Sequence, residues 1–384
     1  MKTWKRILTA GVLLTTIVSL AGCNSTRGSS SSQKSNDKEL VYISMPTEAE
    51  ERWVKDGNEL KNQIKDAGYD VDLTFAQDKV EQQNSDIENA INKGADIIVV
   101  ASKDGSAVGP AVEKARDAGI KVIAYDRLIL DTEAVDYYVT FQLEKTGVWE
   151  ANYIIEKLGL DKGEKGPFNI ELFTGSADDN NAKYFFKGAW ELLQPYFEEG
   201  VLVSPSGKVT KDFTVDDWQD ISIDSWKMEK AQSEMESRLA KYNGGSVSLD
   251  AVLSPYDGIS KGVINAIEGQ GMPWKVGSAD WPYITGQDAM VTALSDILEG
   301  KQGETVWKDT RELATKVAEV CVEILDGKDV ETTETMNNNV VDVPSILLDS
   351  KSVTKNGESD AKDTISVKDV VDSGYVTAKQ VGLE

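Results

Sequence analysis

Short, continuously apolar runs alternate with amphipathic runs that stop at glycine, and this pattern leaves few folds open to the chain. Leu40-Val41-Tyr42-Ile43-Ser44-Met45, Val71-Asp72-Leu73-Thr74-Phe75, Asp96-Ile97-Ile98-Val99-Val100-Ala101 and Lys121-Val122-Ile123-Ala124-Tyr125 read as strands. Between them, helical spacing runs over 48–67 and then up to Asn92 and Ala118, with Gly68, Gly94 and Gly119 at or just past the ends. Glycine is the favoured residue there because it adopts a left-handed backbone without strain. Strands that are apolar throughout must be covered on both faces, and helix-length connections join parallel strands.

The cycle restarts after a helix over 146–158. Phe168-Asn169-Ile170-Glu171-Leu172-Phe173, Val201-Leu202-Val203, Asp250-Ala251-Val252-Leu253-Ser254, Pro282-Tyr283-Ile284-Thr285 and Thr305-Val306-Trp307 are the next strands. Helices over 182–197, 229–242, 260–268 and up to Glu299 lie among them. The fold class is therefore α/β, with two successive doubly wound, Rossmann-like lobes. Short strand-like pieces after Gly327, such as Val340-Val341-Asp342-Val343, do not declare their lobe.

The N-terminus reads as an export signal over 1–22. Lys2, Lys5 and Arg6 precede an apolar stretch over 7–20 and the small-residue run Leu20-Ala21-Gly22-Cys23. The apolar stretch is shorter than the roughly 20 residues a membrane span needs. Leu-Ala-Gly-Cys also resembles the bacterial lipobox, which implies cleavage before Cys23 and lipidation of its thiol. The Gly/Ser-rich run that follows, over 24–37, cannot bury a core and reads as a flexible tether. Attachment to the membrane would then be by lipid alone, on the outer face of the cell membrane. Cys321, the other cysteine, sits at a helix-periodic apolar position and is expected to be a core thiol, so no disulfide is expected.

Charge and composition narrow the function. Net charge is −24, and removing a signal with three cations and no acids leaves −24 − 3 = −27. Such a polyanion repels phosphate backbones, so no nucleic-acid partner is expected. The chain contains no histidine, which removes the usual general base, the Ser-His and Cys-His pairs and the commonest zinc ligand. Neither a cofactor nor a metal is expected. Catalysis by a carboxylate pair such as Asp257 and Asp288 would require the two acids to flank the bond they cleave. A DNA-binding repressor is disfavoured by the export signal and by the lack of a basic helix-turn-helix segment before residue 38.

Ligands of open parallel sheets bind outside the carboxyl ends of the strands, and polar residues collect there. Arg52-Trp53 opens the first helix, and Asp126-Arg127 follows the fourth strand. Asp179-Asn180-Asn181, Tyr256-Asp257, Gln287-Asp288 and Lys308-Asp309 follow strands of the second half. Asp or Asn before a helix is commonly an N-cap. Their recurrence at one end of successive units, with both signs of charge, suits a neutral polyol such as a monosaccharide. Asp accepts from sugar hydroxyls, Arg and Lys donate, and Asn does both. Aromatics such as Trp53 and Trp226 pack on the C–H faces of the ring.

These stretches resemble the type I bacterial periplasmic monosaccharide-binding proteins, in particular the xylose-binding and multiple-sugar-binding members. The resemblance rests on Glu51-Arg52-Trp53-Val54-Lys55-Asp56-Gly57, Ile123-Ala124-Tyr125-Asp126-Arg127, Asp179-Asn180-Asn181-Ala182-Lys183, Ser254-Pro255-Tyr256-Asp257-Gly258, Thr285-Gly286-Gln287-Asp288 and Trp307-Lys308-Asp309-Thr310. It implies sugar contacts from Arg52, Arg127, Asn181, Asp257, Asp288 and Lys308, with Asp126, Asn180 and Gln287 as further contacts. Trp53 and Trp226 would stack on the sugar, with Trp218 a competitor for the second place. It further implies a three-strand hinge near Phe141-Gln142-Leu143, Lys308-Asp309 and Asp342-Val343. The lobes would then be 38–142 plus about 309–342, and 143–308 plus about 343–384. A monomer is implied that delivers an aldose to the membrane permease and ATPase of an ABC importer. The alternative is a receptor that presents its closed form to a membrane chemoreceptor or sensor kinase. Phe141-Gln142-Leu143, where relatives commonly carry Phe-Asp-Asn, and the poorly matching segment 204–225 depart from the family pattern.

Overall fold

Valine, isoleucine and tyrosine fill the first strands, whose side chains are buried on both faces of the sheet. The computed structural model describes residues 38–359 and 363–384. The signal, Cys23 and the tether lie outside the described residues. Strands β1 (Leu40–Met45), β2 (Asp70–Phe75), β3 (Ile97–Val100), β4 (Lys121–Tyr125) and β5 (Tyr137–Phe141) are connected in part by helices α1 (Glu51–Asp66), α2 (Val80–Lys93) and α3 (Gly109–Asp117). Their order is β2-β1-β3-β4-β5, all parallel, with the switch point between β1 and β3. No helix separates β4 from β5, so the strand–helix alternation that reveals the others does not reveal β5.

The second half repeats the plan. It comprises α4 (Leu143–Lys157), β6 (Phe168–Leu172), α5 (Asn180–Glu198), β7 (Leu202–Val203), α6 (Met228–Leu239), β8 (Ala251–Leu253), α7 (Asp257–Gly269), β9 (Tyr283–Ile284), α8 (Val291–Glu299) and β10 (Glu304–Trp307). The order β7-β6-β8-β9 is parallel, and a bridge between Gln287 and Val306 carries the sheet on to β10. Helices α4 and α5 approach closely through two glycines. A Cβ on Gly147 would fall 1.8 Å from the Phe185 carbonyl oxygen, and one on Gly188 would fall 1.9 Å from that of Glu144. That contact fixes the seat of α5, whose first turns bear Asn181 and Phe185.

The tail serves both sheets. Helix α9 (Thr310–Leu325) buries Leu313, Ala314, Val317 and Cys321 against Leu60 and Ile64 of α1. Burial holds the Cys321 thiol well above its ordinary pKa, as expected for an inert core residue. Strands β11 (Glu334–Asn337) and β12 (Asp342–Leu348) complete the first sheet, while β13 (Lys351–Thr354) and β14 (Ile365–Ser366) pair beside β10. The chain thus crosses between the sheets at 142, at 308–309 and at 349–350. The third crossing differs from the one expected at Asp342-Val343. Ser345 to Leu348 pair with Tyr138 to Phe141, so the first sheet keeps β12 to its end. Among the described residues no helix is long and apolar enough to cross a membrane.

Candidate functional site

Both sheets turn the carboxyl ends of their strands toward one cavity of about 380 Å³, counted to its mouth. From the first sheet, Arg52 and Trp53 reach it from the start of α1, and Asp126 and Arg127 from the end of β4. The Arg52 guanidinium pairs with Asp126 through Nη2 and lies 3.6 Å from Asp288 through Nη1. Asp126 has a left-handed backbone (φ 60), which costs a non-glycine residue energy unless its surroundings hold it. Its carbonyl accepts from Tyr138 Oη at 2.8 Å, Thr140 Oγ1 at 2.9 Å and Asn181 Nδ2 at 3.0 Å, so it is firmly held.

The second sheet supplies the opposing wall. Asp179 caps α5 by accepting from the Asn181 N–H at 3.0 Å, and its other oxygen lies 3.0 Å from Arg127 Nε. Asp288 pairs with Lys308 at 2.9 Å, and the Lys308 ammonium stands 4.9 Å from the centre of the Phe185 ring. Gln287 donates to Glu150 at 2.8 Å, while its own Oε1 is buried with no hydrogen-bond partner among the described residues. The Arg52 and Arg127 guanidiniums lie 4.7 and 5.0 Å from the Trp53 ring centre, within cation–π range. Trp226 is delivered by two left-handed residues, Ser225 (φ 53) and Trp226 itself (φ 58), with the Ser225 N–H held by Ser176 Oγ at 2.8 Å. Its ring lies over Gly175, where a Cβ would fall 1.9 Å from the indole.

The lining carries Arg52, Arg127 and Lys308 against Glu50, Asp126, Asp179 and Asp288, or 3 − 4 = −1. Burial works against the Arg52 charge, but Asp126, Asp288 and Asp56 outweigh it and hold the guanidinium well above its ordinary pKa. Loss of solvent around the half-buried Asp288 likewise opposes its charge, yet Lys308 and Arg52 hold it below the usual carboxylate range. For Asp179 burial prevails over Arg127, and its pKa is raised. Arg52–Asp288, Arg127–Asp179 and the Asn181–Asp126 hydrogen bond each join the two halves, as does Lys103–Asp178 at 2.6 Å outside the lining.

Of the residues expected at the site, Arg52, Trp53, Asp126, Arg127, Asn181, Trp226, Gln287, Asp288 and Lys308 line the cavity. Asp257 and Asn180 do not. The Asp257 carboxylate turns into the wall, accepting from Gln302 Nε2, Thr305 Oγ1 and the Met290 N–H, each at 2.8 Å. Burial pushes its pKa up to about 8, and the neighbouring Tyr256 lines the cavity in its place. Asn180 begins α5 outside the lining, whereas Asp179 before it faces inward. Trp218 is buried in the core that contains Phe186, Trp190 and Phe213, whereas Trp226 lines the cavity. Glu50, Asp179, Phe185, Pro255 and Tyr256 also line it. The one available signal for Phe185 was its place one helical turn after Asn181. Asp179 was hidden behind its capping role, which it also fulfils.

The periplasmic binding protein domain family matches residues 41–329. The chain is 42% identical over 347 residues to the multiple sugar-binding periplasmic receptor ChvE of Rhizobium radiobacter, covering 90% of this chain and 93% of the relative. It is 35% identical over 319 residues to the D-xylose-binding periplasmic protein of Escherichia coli (strain K12), covering 83% and 86%. Its structure resembles that of an ABC transporter solute-binding protein from Clostridium phytofermentans with bound β-D-glucose. That match has a TM-score of 0.79 at 38% identity, over 89% of this chain and 100% of the other.

Proposed function

The chain belongs to the periplasmic binding protein family, and from that premise we propose that it is an extracytoplasmic receptor that captures a monosaccharide, an aldose such as xylose or glucose. The observation that carries this reading is the charge pattern of the cavity wall. Arg52–Asp126, Arg127–Asp179 and Lys308–Asp288 are buried or half-buried pairs of opposite sign that almost cancel. Each pair keeps spare donors and lone pairs, so two adjacent hydroxyls can be held at once. A nearly neutral wall of this kind suits an uncharged polyol better than a phosphate. Asn181 and Gln287 add groups that both donate and accept, and Trp53 and Trp226 offer flat apolar faces to the ring. The relatives named above bind sugars by their own descriptions, which supports the same ligand class here.

Capture is a shift between open and closed forms about the three crossings, driven by the ligand's contacts with both lobes. The closed form is what the permease and ATPase of an ABC importer read. Calorimetric or tryptophan-emission titration with xylose, glucose, galactose and arabinose tests the reading. A saturable response to at least one aldose is expected, and silence toward all four removes it.

Lipid anchoring at Cys23 belongs to the same proposal. A receptor held by an acylated Cys23 and a tether over 24–37 stays within reach of its membrane partner. Cys23→Ser is expected to abolish incorporation of labelled fatty acid and to release a folded protein from the membrane fraction. Retention of the variant in membranes contradicts the anchor.

A further inference from the structure

Arg52 presents three edges to three carboxylates, and one of these does not face the cavity. Nη2 meets Asp126, Nη1 lies 3.6 Å from Asp288, and Nε lies 3.7 Å from Asp56 Oδ2, one helical turn further along α1. Asp126 and Asp288 line the cavity, so a bound sugar competes for their lone pairs; Asp56 is only 1% exposed and lies behind the wall. It is therefore the counterion dedicated to Arg52. Its Oδ2 also accepts from Tyr125 Oη at 3.0 Å, and the Thr310 hydroxyl stands beside the same carboxylate. We propose that Asp56 is a positioning residue: its ionised carboxylate holds Arg52 aimed into the cavity, and its protonation weakens ligand binding. This rests on the sugar-receptor reading above.

The groups that face Asp56 are Arg52 from its own helix, Tyr125 and Asp126 from the end of β4, Thr310 from the start of α9, and Tyr375 from the C-terminal segment. Burial raises the Asp56 pKa most; Arg52, Thr310 and Tyr125 favour the charged form, Asp126 opposes it, and the balance is about 7. The sequence contains no histidine, so a neutral-range titration must come from another group. The sign for binding follows: above about pH 7 the carboxylate is charged and Arg52 is held, and below it affinity falls. One linked proton limits the slope to about tenfold in Kd per pH unit. Folding has the opposite sign, because a raised carboxyl pKa makes the protonated form the more stable one.

Two readouts test this. In sugar-free protein, tryptophan emission is expected to titrate near pH 7, because Arg52 stacks on Trp53, and Asp56→Asn should abolish that titration. With sugar, Kd of the wild type should rise about tenfold or less per unit from pH 7 to pH 5.5. Asp56→Asn should bind at least several-fold more weakly at pH 8, with a flat profile and no loss of thermal stability. In an Arg52→Ala background the Asp56 substitution should change nothing further. Wild-type affinity in Asp56→Asn, a retained pH slope, or no emission titration overturns the proposal. If the emission titrates but no aldose binds at any pH, the receptor reading fails while the Asp56–Arg52 coupling stands.

Discussion

Replacing Arg52 by alanine is expected to weaken aldose binding by about 10²- to 10³-fold while the protein remains folded. The side chain reaches acids on both sides of the cavity, Asp126 from the first sheet and Asp288 from the second. Its loss removes donors from the ligand and leaves two carboxylates facing one another across the cavity. Truncating one partner of a buried, hydrogen-bonded charge pair costs about 2–5 kcal/mol, and about 1.4 kcal/mol corresponds to tenfold in Kd. Lys308 still neutralises Asp288, so the middle of that range is the appropriate expectation. Arg52→Lys keeps the charge but loses the planar fork that meets three carboxylates at once, and it should recover only part of the affinity. Calorimetry gives Kd and circular dichroism checks the fold. A Kd within about threefold of wild type would place the ligand elsewhere.

The repeat of strand and helix was readable because it follows from burial. Strands covered on both faces must be apolar throughout, and glycine marks helix ends wherever the backbone turns left-handed, as at Gly94 and Gly300. What escaped lacked that periodic signature. Strand β5 follows a loop rather than a helix, and the lobe of β12 is decided by pairing with β5, distant in sequence. At the site, the residue types and their loops were readable, but the direction of individual side chains was not. Tyr256 and Asp257 are adjacent at the end of β8, and backbone geometry sends the tyrosine into the cavity and the aspartate into the wall. Local sequence carries no sign of which neighbour points inward, because Gln302 and Thr305, which capture Asp257, come from another loop and strand. The reverse holds for Asp179, whose capping motif is visible while its contact with Arg127, on the other lobe, is not.

Stability is expected to fall as pH rises from 6 to 9, because the second lobe holds three carboxyls that burial keeps from ionising. Glu150, Asp257 and Glu304 are 1%, 2% and 0% exposed, and their hydrogen bonds come from amides and hydroxyls. Gln287 donates to Glu150 at 2.8 Å, Gln302 and Thr305 to Asp257 at 2.8 Å each, and Ser352 to Glu304 at 3.1 Å. No ion pair is formed by any of the three among the described residues. Burial, with their mutual repulsion, lifts Glu150 and Glu304 well above the usual carboxylate range, and burial raises Asp257 to about 8. The sign is that of acids with raised folded pKa values. Above the unfolded value near 4 the unfolded chain binds fewer protons, so stability declines with pH until the folded group ionises. Each such group contributes about 1.4 kcal/mol per pH unit over that interval. Asp257 alone therefore implies a loss on the order of 2–3 kcal/mol between pH 6 and 8. Asp288, held below the usual range, is already ionised there and adds no slope. Chemical denaturation between pH 6 and 9 measures the decline, and Glu304→Gln, an uncharged isostere, should make it shallower. A flat or rising stability, or an unchanged slope in Glu304→Gln, excludes the account.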